Sequence, residues 1–273
     1  MPTLKESLKN KLTEKQLKLL PSSFDIVGDI IIFADFPKEL KGKEKLIGEA
    51  LLKLHPNIKV VCKKIKKYSG KYRTPKLKVI AGEKRKETEY KENNARLKLD
   101  VEKCYFSPRL ANERLRIAKL VKKNESILVM FSGVGVYPLV IAKNSRPKIV
   151  YGIEINPAAH KYALENVKLN KVDNVKLLKG DVKNIVPKLK KKFDRILMPL
   201  PRGGENFLKL ALKAAKKNTI VHFYDFLNEK ELDLAKEKID KACGKRKHKI
   251  LSLVRCGQFG PRIYRVCVDF RIA

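Results

Sequence analysis

SILVMFSGVGVYPLVIAKNSRPKIVYGIEINP, residues Ser126–Pro157, decides the fold. It reads as an apolar strand, a glycine turn, an apolar helix and a second apolar strand that gives out at Glu154. Gly133 and Gly135 let backbone approach a ligand closely at the strand-to-helix turn. An acid about 20 residues further on accepts hydrogen bonds from ribose hydroxyls. Tight turns need glycine for steric reasons alone, so the nucleotide-like cofactor site expected here rests on Glu154 as much as on the loop.

Downstream the beat is regular. Helix 158–169, strand 175–178, strand 193–198, helix 205–215, strand 219–224 and helix 229–242 follow, with a helix over 110–121 before the opening strand. Such alternation predicts a parallel sheet with helices on both faces and ligands at the carboxyl ends of its strands. Two closing strands, 250–254 and 264–270, are joined through CGQFGPR and make the last strand antiparallel. An open sheet ending in that hairpin resembles the Rossmann-like class I S-adenosylmethionine-dependent methyltransferases.

Three strand ends carry candidate cofactor residues. Phe131, Ser132, Gly133 and Gly135 offer backbone donors at a helix N-terminus to a carboxylate-bearing tail. Glu154, followed by Ile155, suits ribose, and Asp181, followed by Val182, suits an adenine amino group. Helix capping explains any one of these acids. Together they favour S-adenosylmethionine over NAD, whose fingerprint has a third glycine. After the fourth strand, MPLPRGG (198–204) fixes φ twice at a ligand-facing end, which suits a wall for a flat base beside Pro199 and Arg202.

The first half is a different text. Leu4, Leu8 and Leu12 at helical spacing predict an amphipathic helix within 4–20. A strand at 30–34, a helix at 44–54 and short strands at 58–62, 77–80 and 95–99 then predict a small mixed α/β domain. Its segment KKIKKYSGKYRTPK (63–76) interleaves Tyr68 and Tyr72 with bases including Lys71 and Arg73, a candidate loop for phosphates and stacked bases.

Charge names a partner. With 63 Lys and Arg against 29 Asp and Glu, the net charge is +34, enough to draw the chain to a polyanion. Nothing reaches the roughly 20 apolar residues of a membrane span and the N-terminus lacks a signal peptide, which implies a cytoplasmic protein. Five scattered cysteines without a C-x-x-C pair, and only four histidines, argue against a metal site or a disulfide framework. No self-association surface is legible, and a monomer is the default.

The motifs PSSFDIVGDI (21–30), RTPKLKVIAGE (73–83), YFSPRLANERLRIA (105–118), MFSGVGVYPL, GIEINPAAHKYALENVKLNKV, MPLPRGGENFL and GPRIYRVCVDF span most of the chain. In them it resembles the archaeal and eukaryotic tRNA (guanine-37-N1)-methyltransferases and the related wybutosine-synthesising enzymes. The resemblance implies a catalytic domain over 104–273, a tRNA-binding domain over 21–103 and a helical extension over 1–20, without the separate N-terminal domain common among archaeal members. It implies methyl transfer from S-adenosylmethionine to N1 of guanosine 37, with Glu125 as general base and Arg109 stabilising charge on O6. It adds the Leu200–Pro201 backbone to the cofactor contacts and Pro261 and Arg262 to the tRNA contacts. Two departures stand out: Pro199 replaces the usual Asn of Asn-Leu-Pro, and Val129 replaces a common aspartate. Relatives that transfer aminocarboxypropyl to, or methylate, a tricyclic base at position 37 give the alternative activity, and a non-catalytic RNA-binding protein the alternative class.

Overall fold

The computed structural model describes residues 2–273, apart from the side chains of 67–69, so the stacking expected of Tyr68 lies outside the described residues. The chain parts into two units, Met1–Lys91 with Arg96–Pro108, and Glu92–Ala95 with Arg109–Ala273. Among the described residues no helix is long and apolar enough to cross a membrane.

In the first unit the expected N-terminal helix is two, α1 (Leu4–Leu8) and α2 (Glu14–Lys18). Each begins in a reciprocal capping box, Thr3 with Glu6 and Thr13 with Gln16, and the second cap starts a new helix where leucine spacing alone suggests continuity. From this segment Leu8, Leu12 and Leu17 enter one core with Phe33, Leu40, Ile47 and Leu51. Strands β1 (Asp25–Val27), β2 (Ile30–Phe33), β3 (Val60–Ser69) and β4 (Thr74–Gly82) form a sheet in that order, with β2 and β3 parallel. Helix α3 (Glu44–Leu54), where expected, buries Ile47 and Leu51.

The basic segment 63–76 is mostly ladder. Strands β3 and β4 run through it antiparallel, and the turn is confined to 70–73, where Gly70 and Arg73 have φ of 72° and 51°. Strands β5 (Glu87–Glu92) and β6 (Ala95–Asp100) form a two-stranded hairpin. Its two-residue turn, Asn93–Asn94, takes positive φ at both positions, as the twist of a tight hairpin demands.

The second unit is a seven-stranded sheet. After α4 (Ala111–Leu120) come β7 (Ser126–Met130), α5 (Val136–Asn144), β8 (Ile149–Glu154), α6 (Pro157–Asn170), β9 (Val175–Lys179), α7 (Val182–Lys188) and β10 (Phe193–Met198). Then follow α8 (Leu208–Ala214), β11 (Ala215–Asn228), α9 (Leu234–Cys243), β12 (His248–Gly260) and β13 (Ile263–Ile272). The order is β12-β13-β11-β10-β7-β8-β9, parallel from β11 to β9, with β13 antiparallel to both its neighbours. This is the class I methyltransferase architecture with its closing hairpin. Helix α7 was hidden by its proline, Pro187, which sits in the last turn where it breaks little. One face of the sheet presents Leu128, Ile153, Ile196, Met198, Val221, Phe223, Val268 and Phe270 to a continuous apolar core.

Candidate active site

The carboxyl ends of β7, β8 and β9 are laced together by backbone. Ser132 N–H donates to Ile153 O and Gly180 N–H to Glu154 O, both at 2.8 Å. Between them Phe131, Gly133 and Gly135 all take positive φ, 61°, 57° and 83°. For a bulky residue such as Phe131 that conformation is strained, and it turns the chain sharply enough for α5 to begin at Val136 with its N-terminal amides facing the loop.

Glu154 closes the cradle. Its carboxylate accepts from Gly133 N and Asn156 N, each at 2.7 Å. Burial raises its pKa above the ordinary carboxylate value, against the pull of the amides of Asn156, Gly133 and Ile155. Among the described residues, the buried Ser132 hydroxyl oxygen has no hydrogen-bond partner. An unspent buried hydroxyl, a helix N-terminus and a carboxylate with lone pairs to spare fit a ligand carrying both a carboxylate and a ribose, as S-adenosylmethionine does.

The other expected contacts divide. Asp181 caps α7, its Oδ1 accepting from Lys183 N at 2.9 Å. Val182 is buried in the apolar core, so only its backbone is available to a ligand. Ile155, Pro199, Leu200 and Pro201 are half-buried, and Leu200 N–H folds back onto Met198 O at 2.7 Å. Exposed Arg202 stacks its guanidinium 5.0 Å from the ring of Phe259, itself 52% exposed. Pro261 and Arg262 lie exposed in the β12–β13 turn, where Arg262 O accepts from Glu229 N. Lys71 is exposed and Arg73 half-buried in the β3–β4 turn of the first unit.

Glu125 is not at this site. It precedes the first residue of β7, so the strand's length, roughly 20 Å at about 3.3 Å per residue, separates it from Phe131. Its carboxylate is instead held by Arg195 of β10, Nε to Oε2 at 2.7 Å and Nη2 to Oε1 at 3.0 Å. The role that the resemblance implied for Glu125 places it by the target base, but β7 stands between it and the glycine loop.

A second buried acid, Glu113, stands in the first turn of α4. Its Oε1 accepts from the Tyr224 hydroxyl at 2.6 Å, and Tyr224 OH meets Tyr137 OH, in the first turn of α5, at 3.0 Å. Arg116 holds both its oxygens, Nε to Oε2 at 2.7 Å and Nη2 to Oε1 at 2.8 Å. Sequence reading passed over Glu113, although it stands in the FSPR-x-x-x-ER motif. Arg109, exposed, lies just before the same helix.

His222, Cys267 and Asp269 bring possible ligand atoms within 4.8 Å of one another. Arg195 Nη1 lies 2.7 Å from His222 Nε2 and Arg116 Nη1 2.7 Å from Asp269 Oδ2, so two guanidinium charges oppose a cation there.

Comparison with known proteins gives this arrangement a lineage. A family model described as the TRM5/TYW2 methyltransferase domain matches residues 88–251, and one described as the TYW2 N-terminal domain matches residues 4–85. The tRNA (guanine(37)-N(1))-methyltransferase Trm5b of Pyrococcus abyssi is 41% identical over 259 residues, 94% of this chain and 76% of the relative. The tRNA(Phe) (4-demethylwyosine(37)-C(7)) aminocarboxypropyltransferase of Pyrococcus horikoshii is 30% identical over 275 residues, 99% of this chain and 96% of that one. Among solved structures, the complex of aTrm5 with tRNALeu superposes with a TM-score of 0.86 at 32% identity, covering 100% of this chain and 78% of the other. Pyrococcus horikoshii TYW2 with MeSAdo gives 0.83 at 27%, covering 98% and 97%. The strand order, the laced glycine loop and a domain match spanning more than half of the residues agree: the chain belongs to the TRM5/TYW2 methyltransferase family.

Proposed function

We propose that this protein binds S-adenosylmethionine and tRNA and methylates N1 of guanosine at position 37. The observation that carries the chemistry is the Glu113 carboxylate, clamped by Arg116 and Tyr224. The 41% identity to a guanine-37-N1 enzyme supports the choice of substrate.

Phe131, Ser132, Gly133, Gly135 and Glu154 would hold the cofactor, with the backbones of Ile155, Asp181, Val182, Leu200 and Pro201 completing its surroundings. When bound, it supplies a methyl group on a sulfonium whose sulfur leaves as a neutral thioether. Guanine N1 is no nucleophile while it carries its proton. Glu113 Oε2, with one hydrogen bond from Arg116 and a lone pair to spare, takes that proton as N1 bonds to the methyl carbon. Arg109 offsets the negative charge that develops on O6. Pro199 and Arg202 border the base, and Lys71, Arg73, Pro261 and Arg262 contact the RNA backbone.

The second reading, aminocarboxypropyl transfer to the tricyclic base, is favoured by the TYW2 N-terminal match over residues 4–85. Mass analysis of nucleosides from a tRNA transcript incubated with S-adenosylmethionine separates the two. One methyl on guanosine 37 is the expected product. An aminocarboxypropyl adduct, or an unchanged nucleoside, overturns it.

The net charge of +34 carries a further prediction. Affinity for tRNA in a filter-binding titration falls at least about tenfold between about 50 and 200 mM salt, as counterion release requires. A flat titration would remove the electrostatic part of the proposal.

A further inference from the structure

One face of the catalytic sheet is polar in its depth. Arg195 of β10, His222 and Tyr224 of β11 and Asp269 of β13 alternate along their strands with the apolar residues of the opposite face, and α4 supplies Glu113 and Arg116. Their side chains bond in an unbroken series. From Glu125, Arg195 reaches His222 Nε2 at 2.7 Å; His222 Nδ1 reaches Asp269 Oδ1 at 2.6 Å; Asp269 Oδ2 accepts from Arg116 Nη1 at 2.7 Å. Arg116 then grips both oxygens of Glu113.

The series has a direction. A guanidinium only donates, so His222 Nε2 must accept, which leaves the proton on Nδ1 and makes it the donor to Asp269. Burial pushes the His222 pKa down, keeping the imidazole neutral as this pattern requires. Asp269 sits well below the ordinary carboxylate range: burial works against this, but hydrogen bonds from His222 and Arg116 prevail. Ser252 Oγ adds a third donor, at 2.9 Å to Oδ2. Each group therefore has one orientation that satisfies its neighbours.

We propose that Asp269 and His222 are positioning residues for methyl transfer, acting through Arg116 to fix the Glu113 carboxylate. Arg116 is the link that needs help, since its side chain is 25% exposed while that of Glu113 is 3% exposed. Without Asp269 the guanidinium is free to turn to water, and Glu113 keeps Tyr224 as its remaining tether. Stability alone does not call for such a series, because apolar side chains of similar volume hold a sheet at least as well as buried ion pairs. The inference rests on Glu113 being the proton acceptor.

The test compares Asp269→Asn, His222→Leu and His222→Gln in methyl transfer to a tRNA transcript, with calorimetric binding of S-adenosylmethionine and thermal melting of each variant. Glutamine offers one acceptor and one donor, as the neutral imidazole does, whereas leucine offers neither. We expect kcat to fall about 10- to 100-fold in Asp269→Asn and His222→Leu. KM for tRNA and cofactor affinity stay within about twofold, and His222→Gln recovers most of the rate. Arg116→Lys, at a partly exposed position, keeps the charge but loses the fork that spans both carboxylates, and reads the same link should either core variant fail to fold. Parent kcat in the folded variants, a loss that follows cofactor affinity, or a His222→Gln variant as slow as His222→Leu each overturns the proposal. Glu113→Gln serves as the reference: at parent rate it refutes the acceptor itself, whereas a slow Glu113→Gln beside a fast Asp269→Asn refutes only the positioning.

Discussion

Glu113→Gln slows single-turnover methylation of guanosine-37 tRNA by about 10²- to 10⁴-fold, the range that a positioned general base supplies. The substitution keeps shape and volume, and its one oxygen can still accept from Tyr224 and Arg116 Nη2, the two donors that meet at Oε1. What it loses is the basic lone pair on Oε2. It also turns an NH₂ towards Arg116 Nε, so a modest drop in melting temperature accompanies the loss of rate. Binding of S-adenosylmethionine should stay near that of the parent, because the cradle of Ser132, Gly133 and Glu154 is made from other strands. The companion variant is Glu125→Gln. Its carboxylate lies at the far end of β7 against Arg195, so its single-turnover rate at saturating substrates remains close to the parent's. A fast Glu113→Gln with a slow Glu125→Gln would reverse the assignment.

Arg195→Leu is the largest expected loss of stability. The guanidinium is 1% exposed and donates to Glu125, His222 and the Leu120 carbonyl. Removing it strands a buried carboxylate, an imidazole nitrogen and a backbone acceptor at once. Breaking one partner of a buried pair costs about 3–5 kcal/mol, which lowers the melting temperature on the order of 10 °C for a unit of this size. Replacing Glu125 by leucine in the Arg195→Leu background recovers part of that loss, since the stranded charge goes with it. Chemical denaturation of the four proteins in the cycle measures both effects. An Arg195→Leu protein within about 1 kcal/mol of the parent would mean that water reaches Glu125 and replaces the guanidinium.

Much of the catalytic unit was legible because its signals are local. Apolar runs such as SILVM and RILM fall within single strands, the glycine loop announces its own geometry, and Glu154 meets Gly133 only 21 positions away. Helix α3 was readable to the residue, from its apolar stripe to its stop at Pro56. What escaped depends on distant partners or on strands without apolar alternation. Strand β5, ETEYKE, has no hydrophobic period, and it exists because its neighbour β6 pairs with it. Glu113 finds Tyr224 111 positions away, and Arg116 finds Asp269 153 positions away, distances at which no spacing rule operates. A usable clue was present all the same. Arg195 and His222 interrupt strands that are otherwise apolar, and a charged or polar group in such a place needs a partner.

The place of β13 bears on how the molecule assembles. It follows β12 in sequence yet lies between β12 and β11, so β12 has no seat in the sheet until β13 has paired with β11 from Ile263 to Arg271. Asp269 arrives on that strand. Without it, Arg116 and His222 lack the carboxylate that both of them bond. The pairing of β13 with β11 joins residues 35 (Asn228 with Ile263) to 51 (Ile220 with Arg271) positions apart, non-local contacts of the kind that loop closure makes slow. The strand that carries the closing hairpin of the open sheet therefore also carries the carboxylate that holds Arg116 and His222, which ties the completion of the sheet to the completion of the buried series.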